Sequence, residues 1–397
     1  MDERKRFLFR LVIPAYPKWT IYSNVTGITT ALGPLCVATA ASKLEHWDVE
    51  VIDENNCRNR HCPKDPDGHP DHRQLQEQRP ADVVGFYGSM SSSVPRLYEL
   101  AALYHQTGAF TLAGGKHIEF LPEEALAHHI DVAVLGEGEQ TIQELLAAWE
   151  AGHRAARDSR TRQLGTGQRG VGSLRDIANI RGLAWLSAGP EHPALAMSPP
   201  RPPNHDLDSL PWPDFNLLRY GKLRIYPINR TRGCNMHCEF CTVKDKTRTA
   251  SPRWLANQVI HLVETRRARE FFDTSDHFAA DRAEAIEFCR LMADYQRRTG
   301  ISLDFTVQTR ITDARYPELL AAMRDANVHM VAIGFESPID EELVSMNKGY
   351  LSKDMVAWSR TFQRYGFYIH ALLIFGYPLV PEHRVQLSVK ERMKRFR

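Results

Sequence analysis

Three cysteines stand close together near the middle of the chain, at a spacing that suits iron–sulfur chemistry. They are Cys234, Cys238 and Cys241, in the stretch RGCNMHCEFC at 232–241. Three thiolates so close together can bind three irons of a cubane cluster. The fourth iron then lacks a protein ligand and stays open to a small molecule. We therefore expect a [4Fe–4S] cluster that binds a reactant, rather than one that only carries electrons.

Zinc is the alternative occupant of these thiols. Zinc sites usually combine one C-x₂₋₄-C pair with a second pair further along the chain. His237 could supply a fourth ligand, but it is adjacent to Cys238, and simultaneous ligation would be strained. Cys289 is the other candidate, but it stands in an apolar, helix-like stretch and is expected in the core. The spacing therefore favours the iron–sulfur cluster over zinc.

A second group of metal-ligating residue types lies at 57–72. It contains Cys57, Cys62, His69 and His72, which are residue types that bind zinc. Asp and Pro residues interrupt the segment, so we interpret it as a disordered polar loop. The chain has 7 cysteines, an odd number, and is long enough to bury its own core. A disulfide framework is therefore not expected.

The composition is that of a soluble globular protein, and it does not indicate a strongly charged binding partner. The 397 residues are 43% hydrophobic and 25% charged, with a net charge of +2. A net charge this small provides no global field for nucleic acid or anionic membranes. No apolar run is long enough for a membrane helix, and the N-terminus does not read as a signal peptide. We expect a cytoplasmic protein, with the basic run at 388–397 as a solvated tail.

Residues 1–150 alternate short apolar runs with helical patterns. Strands that alternate with helices predict an α/β fold with a doubly wound, Rossmann-like parallel sheet. Such sheets bind ligands beyond the carboxyl ends of their strands. Three of the predicted strand ends carry glycine, which lets the backbone approach a ligand closely. The predicted strands are 8–15, 48–53, 81–87, 110–113 and 131–135.

A change of composition separates this region from a second α/β unit. Residues 151–215 are rich in Arg, Gly and Pro, and we interpret them as a linker with a small β segment at 182–186. The second unit occupies 216–397, and Ser251-Pro252 predicts an N-cap and a first helical turn. Its predicted strands are 225–229, 270–273, 303–308, 329–335 and 368–375.

The cysteine motif on the first βα loop resembles the radical S-adenosylmethionine superfamily. The N-terminal half resembles the cobalamin-binding domain of the B12-dependent branch of that superfamily. The order and spacing of further stretches support the resemblance along most of the chain. They are GGKH (114–117), PEE (122–124), VLGEGEQT (134–141), LDSLP (207–211), QTR (308–310), IGFES (333–337), MNKG (346–349) and IFGYP (374–378).

The resemblance implies two cofactors for the second unit: the [4Fe–4S] cluster and S-adenosylmethionine, whose sulfonium bond a reduced cluster breaks. Phe240 resembles the family's aromatic residue at the adenine site. Asp273 and Asp276 can accept from the methionine ammonium, and Arg310 can pair with its carboxylate. Glu336 can bind the amine or the ribose. The alternative for these charged groups is a set of salt bridges within the barrel.

The resemblance also implies cobalamin in the N-terminal domain. Many cobalamin domains carry a D-x-H-x-x-G loop with a histidine ligand for cobalt, and the loop after the first strand lacks it. We therefore expect cobalamin without a lower protein ligand. A domain that keeps the fold without the cofactor is the alternative. The residues expected at the corrin or its tail are Ser89, Ser91, Gly114, Gly115, Gly136, Glu137 and Gly138.

A partial (β/α) radical S-adenosylmethionine barrel has six strands, and the sequence predicts five, so the barrel is expected to be truncated after strand five. We expect an enzyme that performs methyl transfer, cyclisation or other radical chemistry on an unknown substrate, with no catalytic side chain identified. Its expected electron donor is a protein such as flavodoxin or ferredoxin. The alternative is a truncated or degenerate cofactor-binding protein without efficient turnover.

Overall fold

The computed structural model describes residues 6–18, 23–158, 177–187, 194–377 and 388–395. The chain divides into two compact units. Unit 1 comprises Met1–Asn204 and Pro211–Leu223, and unit 2 comprises His205–Leu210 and Arg224–Arg397. None of the helices in these described ranges is long and apolar enough to cross a membrane.

Unit 1 is built on an eight-stranded sheet. Its strand order is β7-β6-β5-β4-β3-β1-β2-β8, and the strands from β5 to β8 across the sheet are parallel. The strands are β1 (Phe7–Ile13), β2 (Trp47–Asp53), β3 (Val83–Tyr87), β4 (Phe110–Gly114), β5 (Val132–Val134), β6 (Leu183–Ser187), β7 (Ala194–Met197) and β8 (Leu218–Arg219).

Helices connect the parallel strands of unit 1 and confirm the predicted doubly wound sheet. Every residue of β1 is buried, as expected for a strand that is covered on both faces. The helices are α1 (Ser23–Thr26), α2 (Leu32–Ala41), α3 (His72–Gln78), α4 (Val94–Gln106), α5 (Lys116–Phe120), α6 (Pro122–Leu126) and α7 (Gly138–Asp158).

The order of the parallel strands defines where a ligand can enter. Strand β1 pairs with β2 on one side and with β3 on the other, so the direction of winding reverses between β1 and β3. In doubly wound sheets the ligand crevice lies outside the carboxyl ends of the strands at this reversal. The glycine-bearing ends of β3, β4 and β5 lie along that edge.

The stretch interpreted as a linker contains ordered strands in the structure. Strands β6 and β7 pair antiparallel and extend the sheet beyond β5, and β8 pairs with β2 at the other end. Burial of Leu183, Ala184 and Trp185 against the sheet explains why this stretch is structured. Residues 159–176 and 188–193, which belong to the same predicted linker, lie outside the described residues.

A fully buried arginine ties strands of unit 1 together. Arg10 in β1 donates from Nε to Glu50 Oε1 at 2.7 Å and from Nη1 to Gln76 Oε1 at 3.0 Å. Glu50 Oε2 also accepts from Arg79 at 2.6 Å and from Arg219 at 2.8 Å. Removing one partner of such a buried ion pair costs about 3–5 kcal/mol, because the other charge stays buried.

The segment predicted as a disordered loop with unpaired cysteines is different in the structure. Cys57 and Cys62 form a disulfide. A bridge between Lys64 and Pro70 and the start of α3 at His72 order the rest of the segment. The prediction failed because the polar residues of this loop find partners inside the fold: His72 Nδ1 lies 2.8 Å from the buried hydroxyl of Tyr104.

Unit 2 is a five-stranded parallel sheet with the order β15-β14-β13-β12-β9. Each strand pairs with its neighbour in sequence, as in a (β/α) barrel. The strands are β9 (Ile225–Ile228), β10 (Thr231–Arg232), β11 (Arg248–Thr249), β12 (Glu270–Asp273), β13 (Asp304–Thr309), β14 (Val328–Glu336) and β15 (Tyr368–Leu373), with β10 and β11 forming a separate antiparallel pair.

Local sequence signals set the helices of unit 2. The predicted cap is confirmed at the first of them, where Ser251 Oγ accepts from Trp254 N at 3.2 Å. Residues 378–387, after the fifth strand, lie outside the described residues. The helices are α8 (Pro252–Arg266), α9 (Arg282–Thr299), α10 (Pro317–Asp325), α11 (Asp340–Ser345), α12 (Ser352–Arg364) and α13 (Val389–Arg395).

Candidate functional site

The three cysteines lie on the loop between β10 and β11, a few residues after β9, the first strand of unit 2. Gly233 begins the loop with φ +84°, and a Cβ there would lie 2.6 Å from the carbonyl oxygen of Lys246. Only glycine fits such a close approach at a left-handed φ. The Gly233 N–H donates to Asp276 Oδ2 at 2.7 Å, so the loop that follows β12 anchors the cysteine loop.

All three cysteines are free thiols, and they lie near one another. Cys238 is buried, whereas Cys234 and Cys241 are half-buried. Burial raises the pKa of the Cys238 thiol; Lys348 opposes this rise, and the nearby Cys241 and Cys234 add to it. Among the described residues, no three His, Cys, Asp or Glu side chains converge tightly enough to hold one metal ion. A cubane fits this donor set better, because each thiolate binds a different iron.

Arg310 brings a positive charge to the first thiol. It follows β13, and its Nη2 donates to Cys234 Sγ at 3.1 Å. Its backbone N–H donates to Asp313 Oδ2 at 3.1 Å, and the same oxygen accepts from Thr309 Oγ1 at 2.6 Å. His277 Nε2 lies 2.8 Å from that oxygen. The guanidinium beside the thiol is therefore carried on a firmly held strand end.

The two aspartates predicted after β12 have different environments. Asp273 is buried, with Oδ1 accepting from Ser275 N at 2.8 Å and Oδ2 lacking a hydrogen-bond partner among the described residues. Burial raises the pKa of the Asp273 carboxyl. Asp276 is exposed, and one of its oxygens holds Gly233. Asp273 thus has an acceptor without a partner among the described residues, and Asp276 anchors the cysteine loop.

Glu336 ends β14 in a conformation that is unusual for glutamate. Its φ is +63°, and its Oε1 lies 3.0 Å from Lys348 Nζ. A Cβ on Gly334 would lie 2.3 Å from that carboxylate oxygen, so glycine makes the space that the side chain occupies. Left-handed φ values at non-glycine residues are costly and cluster at functional sites. The carboxylate is therefore held in a defined position at the carboxyl edge of the sheet.

Phe240 lies between the last two cysteines and is 37% exposed. Its ring meets Tyr377 edge-on, with ring centroids 6.3 Å apart. An exposed aromatic face on the cysteine loop can stack on a planar ligand. Parallel strands place their carboxyl ends at one edge, so Asp273, Arg310 and Glu336 share this edge with the cysteine loop.

The ends of β3 and β4 in unit 1 approach each other closely. The Gly88 N–H donates to the Gly114 carbonyl at 2.8 Å. Gly115 has φ +117°, and a Cβ there would lie 2.8 Å from the Gly88 carbonyl carbon and 2.9 Å from Ser89 N. Ser91 Oγ lies 3.0 Å from His117 Nδ1. The structure thus brings Ser89, Ser91, Gly114 and Gly115 together at the ends of β3 and β4.

The end of β5 continues the same edge of unit 1. Gly136 is exposed with φ +74°, and a Cβ there would meet no atom within 4 Å, so its surroundings are open. A Cβ on Gly138 would lie 3.0 Å from Val37 Cγ2, so the start of α7 packs closely on α2. Glu137 Oε2 accepts from Asn204 N at 2.9 Å. Gly136 leaves the space that a planar ligand would need, whereas Glu137 holds neighbouring chain.

Sequence reasoning did not assign roles to three polar groups near these sites. Lys348 stands inside the quoted MNKG stretch, which was a usable signal. His117 likewise ends the quoted GGKH stretch. The His277–Asp313 pair had no such signal, because its two members stand 36 positions apart in the sequence.

Comparisons with known proteins agree with this architecture. The B12 binding domain family matches residues 18–146, and the radical SAM superfamily matches residues 228–390. The uncharacterized methyltransferase PH0819 of Pyrococcus horikoshii is 24% identical over 96% of this chain and 76% of its own length. The anaerobic magnesium-protoporphyrin IX monomethyl ester cyclase of Rubrivivax gelatinosus is 28% identical over 60% of this chain, and the match spans 40% of that enzyme.

A solved structure has the same fold. The radical S-adenosylmethionine methyltransferase TsrM from Kitasatospora setae, with cobalamin and a [4Fe–4S] cluster bound, superposes with a TM-score of 0.64 at 18% identity. The similarity covers 95% of this chain and 71% of TsrM. The cofactors of this class are the [4Fe–4S] cluster, S-adenosylmethionine and cobalamin. Two family matches in the predicted order lead to one conclusion: the chain carries a B12-binding domain at 18–146 followed by a radical SAM domain at 228–390.

Proposed function

We propose that this chain is a cobalamin-dependent radical S-adenosylmethionine enzyme that transfers a methyl group to an unidentified substrate. The observation that carries the proposal is the cysteine loop. Cys234, Cys238 and Cys241 are free thiols on one loop at the carboxyl edge of a parallel sheet, and Arg310 contacts the first of them. We propose that the radical SAM core (216–397) carries the cluster and the cobalamin-binding-like domain (1–150) carries the corrin.

The protein's role in the second unit is to hold and orient S-adenosylmethionine. A reduced [4Fe–4S] cluster, when bound, supplies the electron that breaks the carbon–sulfur bond of S-adenosylmethionine. Arg310 has five N–H donors in a planar fork, so it can pair with the methionine carboxylate while it donates to Cys234. Asp273 Oδ2, which has no partner among the described residues, can accept from the methionine ammonium.

The remaining rim residues would bind the nucleoside half. Phe240 presents an exposed ring to the adenine, and stacking on such a face needs no particular hydrogen bonds. The carboxylates of Asp276 and Glu336 can accept from the amine or from ribose hydroxyls. Burial of Glu336 keeps water away from its hydrogen bonds and so strengthens them.

In the first unit the glycine-bearing strand ends would support the corrin. Cobalamin, when bound, supplies a cobalt centre that carries a methyl group. Gly136 leaves the backbone open to a flat ligand, Gly115 lets the ends of β3 and β4 approach each other closely, and Ser89 and Ser91 offer hydroxyl groups near Gly115. The loop after β1, residues 14–31, contains no histidine, so no lower ligand for cobalt is expected from it. The methyltransferase names of similar proteins favour methyl transfer over other radical reactions.

The proposal is tested by anaerobic reconstitution of the full chain with iron, sulfide and hydroxocobalamin. Addition of S-adenosylmethionine and reductant should yield S-adenosylhomocysteine and 5′-deoxyadenosine, both measured by liquid chromatography. The Cys234→Ala variant should yield neither product. Production of 5′-deoxyadenosine alone, even with cobalamin bound, would reject methyl transfer in favour of another radical reaction. Absence of both products in the loaded wild-type chain would reject the enzyme.

Electron paramagnetic resonance of the cob(II)alamin form tests the corrin site separately. A spectrum without nitrogen superhyperfine splitting from a lower ligand is expected. Splitting by one nitrogen would show that cobalt has a lower nitrogen ligand and would contradict this expectation. We further propose that the enzyme acts in the cytoplasm with flavodoxin or ferredoxin as its electron donor, since a low-potential cluster needs such a reductant.

A further inference from the structure

Lys348 lies against the cysteine loop, although nothing in the proposed mechanism uses it. Its side chain is 11% exposed, and its Nζ lies 3.0 Å from Glu336 Oε1. The same nitrogen lies 5.8 Å from the ring centroids of Phe240 and of Tyr350. Because Phe240 stands between Cys238 and Cys241, the ammonium is held beside the loop that carries the thiols.

The residues around Lys348 are joined to that loop by hydrogen bonds. The carbonyl of Met346 accepts from Glu239 N at 3.2 Å, and Asn347 Nδ2 donates to the His237 carbonyl at 3.1 Å. Both partners on the loop are neighbours of Cys238. These two hydrogen bonds hold the residues that precede Lys348 against the cysteine loop, and so help to fix the position of its ammonium group.

The backbone of β14 fixes the position of the carboxylate that pairs with Lys348. Glu336 takes a left-handed φ of +63°, and Gly334 leaves the space for its oxygen. Tyr350 donates its hydroxyl to the Gly334 carbonyl at 2.8 Å, which fixes the ring beside the ammonium. A strained backbone persists only where the surroundings over-determine it. The arrangement therefore keeps one lysine at one place.

We propose that Lys348 provides a fixed positive charge beside the cluster and that this charge stabilises the reduced state of the cluster. The inference rests on the proposed function, because it requires a [4Fe–4S] cluster on the three thiols. Reduction adds one electron from the external donor and makes the cluster more negative, so a nearby cation favours it. Charges in a partly buried site interact more strongly than in water, and net charge near a cluster sets its potential. The field of Lys348 already reaches the thiol of Cys238.

The experiment is a reductive titration of the loaded full chain, without S-adenosylmethionine, followed by electron paramagnetic resonance of the reduced cluster. At the wild-type midpoint potential, Lys348→Met should lower the ratio of reduced to oxidised cluster by about tenfold. Lys348→Arg should restore the ratio to within about twofold, since it keeps the charge. Lys353→Met is the matched control: it removes the same charge from an exposed position on α12 and should leave the ratio unchanged.

A second variant tests the same charge in the opposite direction. Glu336→Gln keeps the size of the side chain but removes the negative charge that offsets the ammonium. The ratio should therefore rise several-fold, and this variant decides the matter if Lys348→Met fails to take up iron. A wild-type ratio in loaded Lys348→Met, or a fall in Glu336→Gln, would overturn the inference. A wild-type chain that binds no cluster would instead overturn the proposed function on which it rests.

Discussion

At the scale of single residues, the end of β13 shows how a buried pair can hold a guanidinium in place. Asp313 Oδ2 accepts from the backbone of Arg310 and from Thr309, and His277 lies against the same oxygen. Burial alone would raise the pKa of the Asp313 carboxyl, but His277, Thr309 and the Arg310 N–H hold it below its usual value. The ionised carboxylate therefore keeps the strand end rigid where Arg310 leaves the sheet.

Replacing Arg310 should weaken the binding of S-adenosylmethionine without unfolding the chain. Hydrogen bonds to charged groups contribute about 1.5–3 kcal/mol, so Arg310→Ala should lower the affinity by that amount. Isothermal titration of the loaded protein measures it. Arg324→Ala is the matched control, because Arg324 is exposed and pairs only with the adjacent Asp325 among the ion pairs described. Equal affinities of Arg310→Ala and the control would contradict the proposed role.

A buried carboxyl in unit 1 provides a prediction about pH. Asp53 ends β2, accepts from Thr30 Oγ1 at 2.7 Å and from Asn55 N at 2.9 Å, and is almost completely buried. Burial raises the pKa of this carboxyl to about 6, above the usual 3.8. The folded state therefore binds a proton more tightly than the unfolded state does. The contribution of Asp53 to the free energy of unfolding should therefore rise as the pH falls from above 6 to below 4.

The Asp53→Asn variant isolates this contribution. The amide keeps an oxygen for Asn55 N, and the Thr30 hydroxyl can rotate to accept from the new amide N–H. Above pH 7 the variant should gain up to about 3 kcal/mol over the wild type, and the gain should vanish below about pH 4. Urea unfolding of the full chain at several pH values measures the difference. A difference that does not change with pH would show that Asp53 ionises normally in the fold.

A functional residue could be predicted from the sequence when the residues that act with it stand close to it along the chain. The cysteines sit at i, i+4 and i+7, so their shared chemistry is visible in one loop. Lys348 meets Phe240 more than 100 positions away, and only the fold brings the two together. Arg10 interrupts an apolar strand, and no sequence rule predicted that Glu50 would neutralise it inside the sheet. Such pairings depend on strand order, which one sequence does not specify.

At the scale of elements, the loop after β4 depends on one glycine. Gly115→Ala would place a Cβ 2.8 Å from the backbone of Gly88, which is tied to Gly114 by a hydrogen bond. We expect a loss of stability about 1–3 kcal/mol greater than for the control, together with loss of cobalamin binding. Gly108→Ala is the matched control, since Gly108 also has a positive φ but has no atom within 4 Å of a Cβ. Urea unfolding and hydroxocobalamin absorbance measure the two effects.

Equal stability of the two variants would show that the Gly88 backbone moves aside, and the close approach of β3 and β4 would then lose its significance. Retention of cobalamin by a folded Gly115→Ala chain would move the proposed corrin site away from this edge.

The parallel strands were predictable because long apolar runs between helical patterns have few other interpretations. Strand β12 was predicted to the residue, and the other parallel strands, apart from β8, were predicted to within a few residues. The pair β6–β7 was missed in part because it lies in a stretch whose composition is typical of linkers. Burial of β6 against the sheet edge, and not the propensity of the pair, gives this stretch its structure.

At the scale of the whole molecule, the order of two α/β units was predictable and the boundary between them was not. The sequence predicted one boundary near residue 215. In the structure two segments alternate instead: His205–Leu210 belongs to unit 2, and the following Pro211–Leu223 belongs to unit 1. Strand β8 causes this alternation, because two residues, Leu218 and Arg219, complete the sheet beside β2. Two residues are too short a run for periodicity to reveal.

The central claim is that Cys234, Cys238 and Cys241 bind a [4Fe–4S] cluster, and iron analysis of the anaerobically reconstituted chain tests it most directly. The wild type should bind about four irons and four sulfides per chain, with brown charge-transfer absorbance. The triple alanine variant at these positions should bind none. A Cys57→Ala, Cys62→Ala double variant, which removes the disulfide instead, should keep the full cluster. Iron and colour retained by the triple variant would contradict the account.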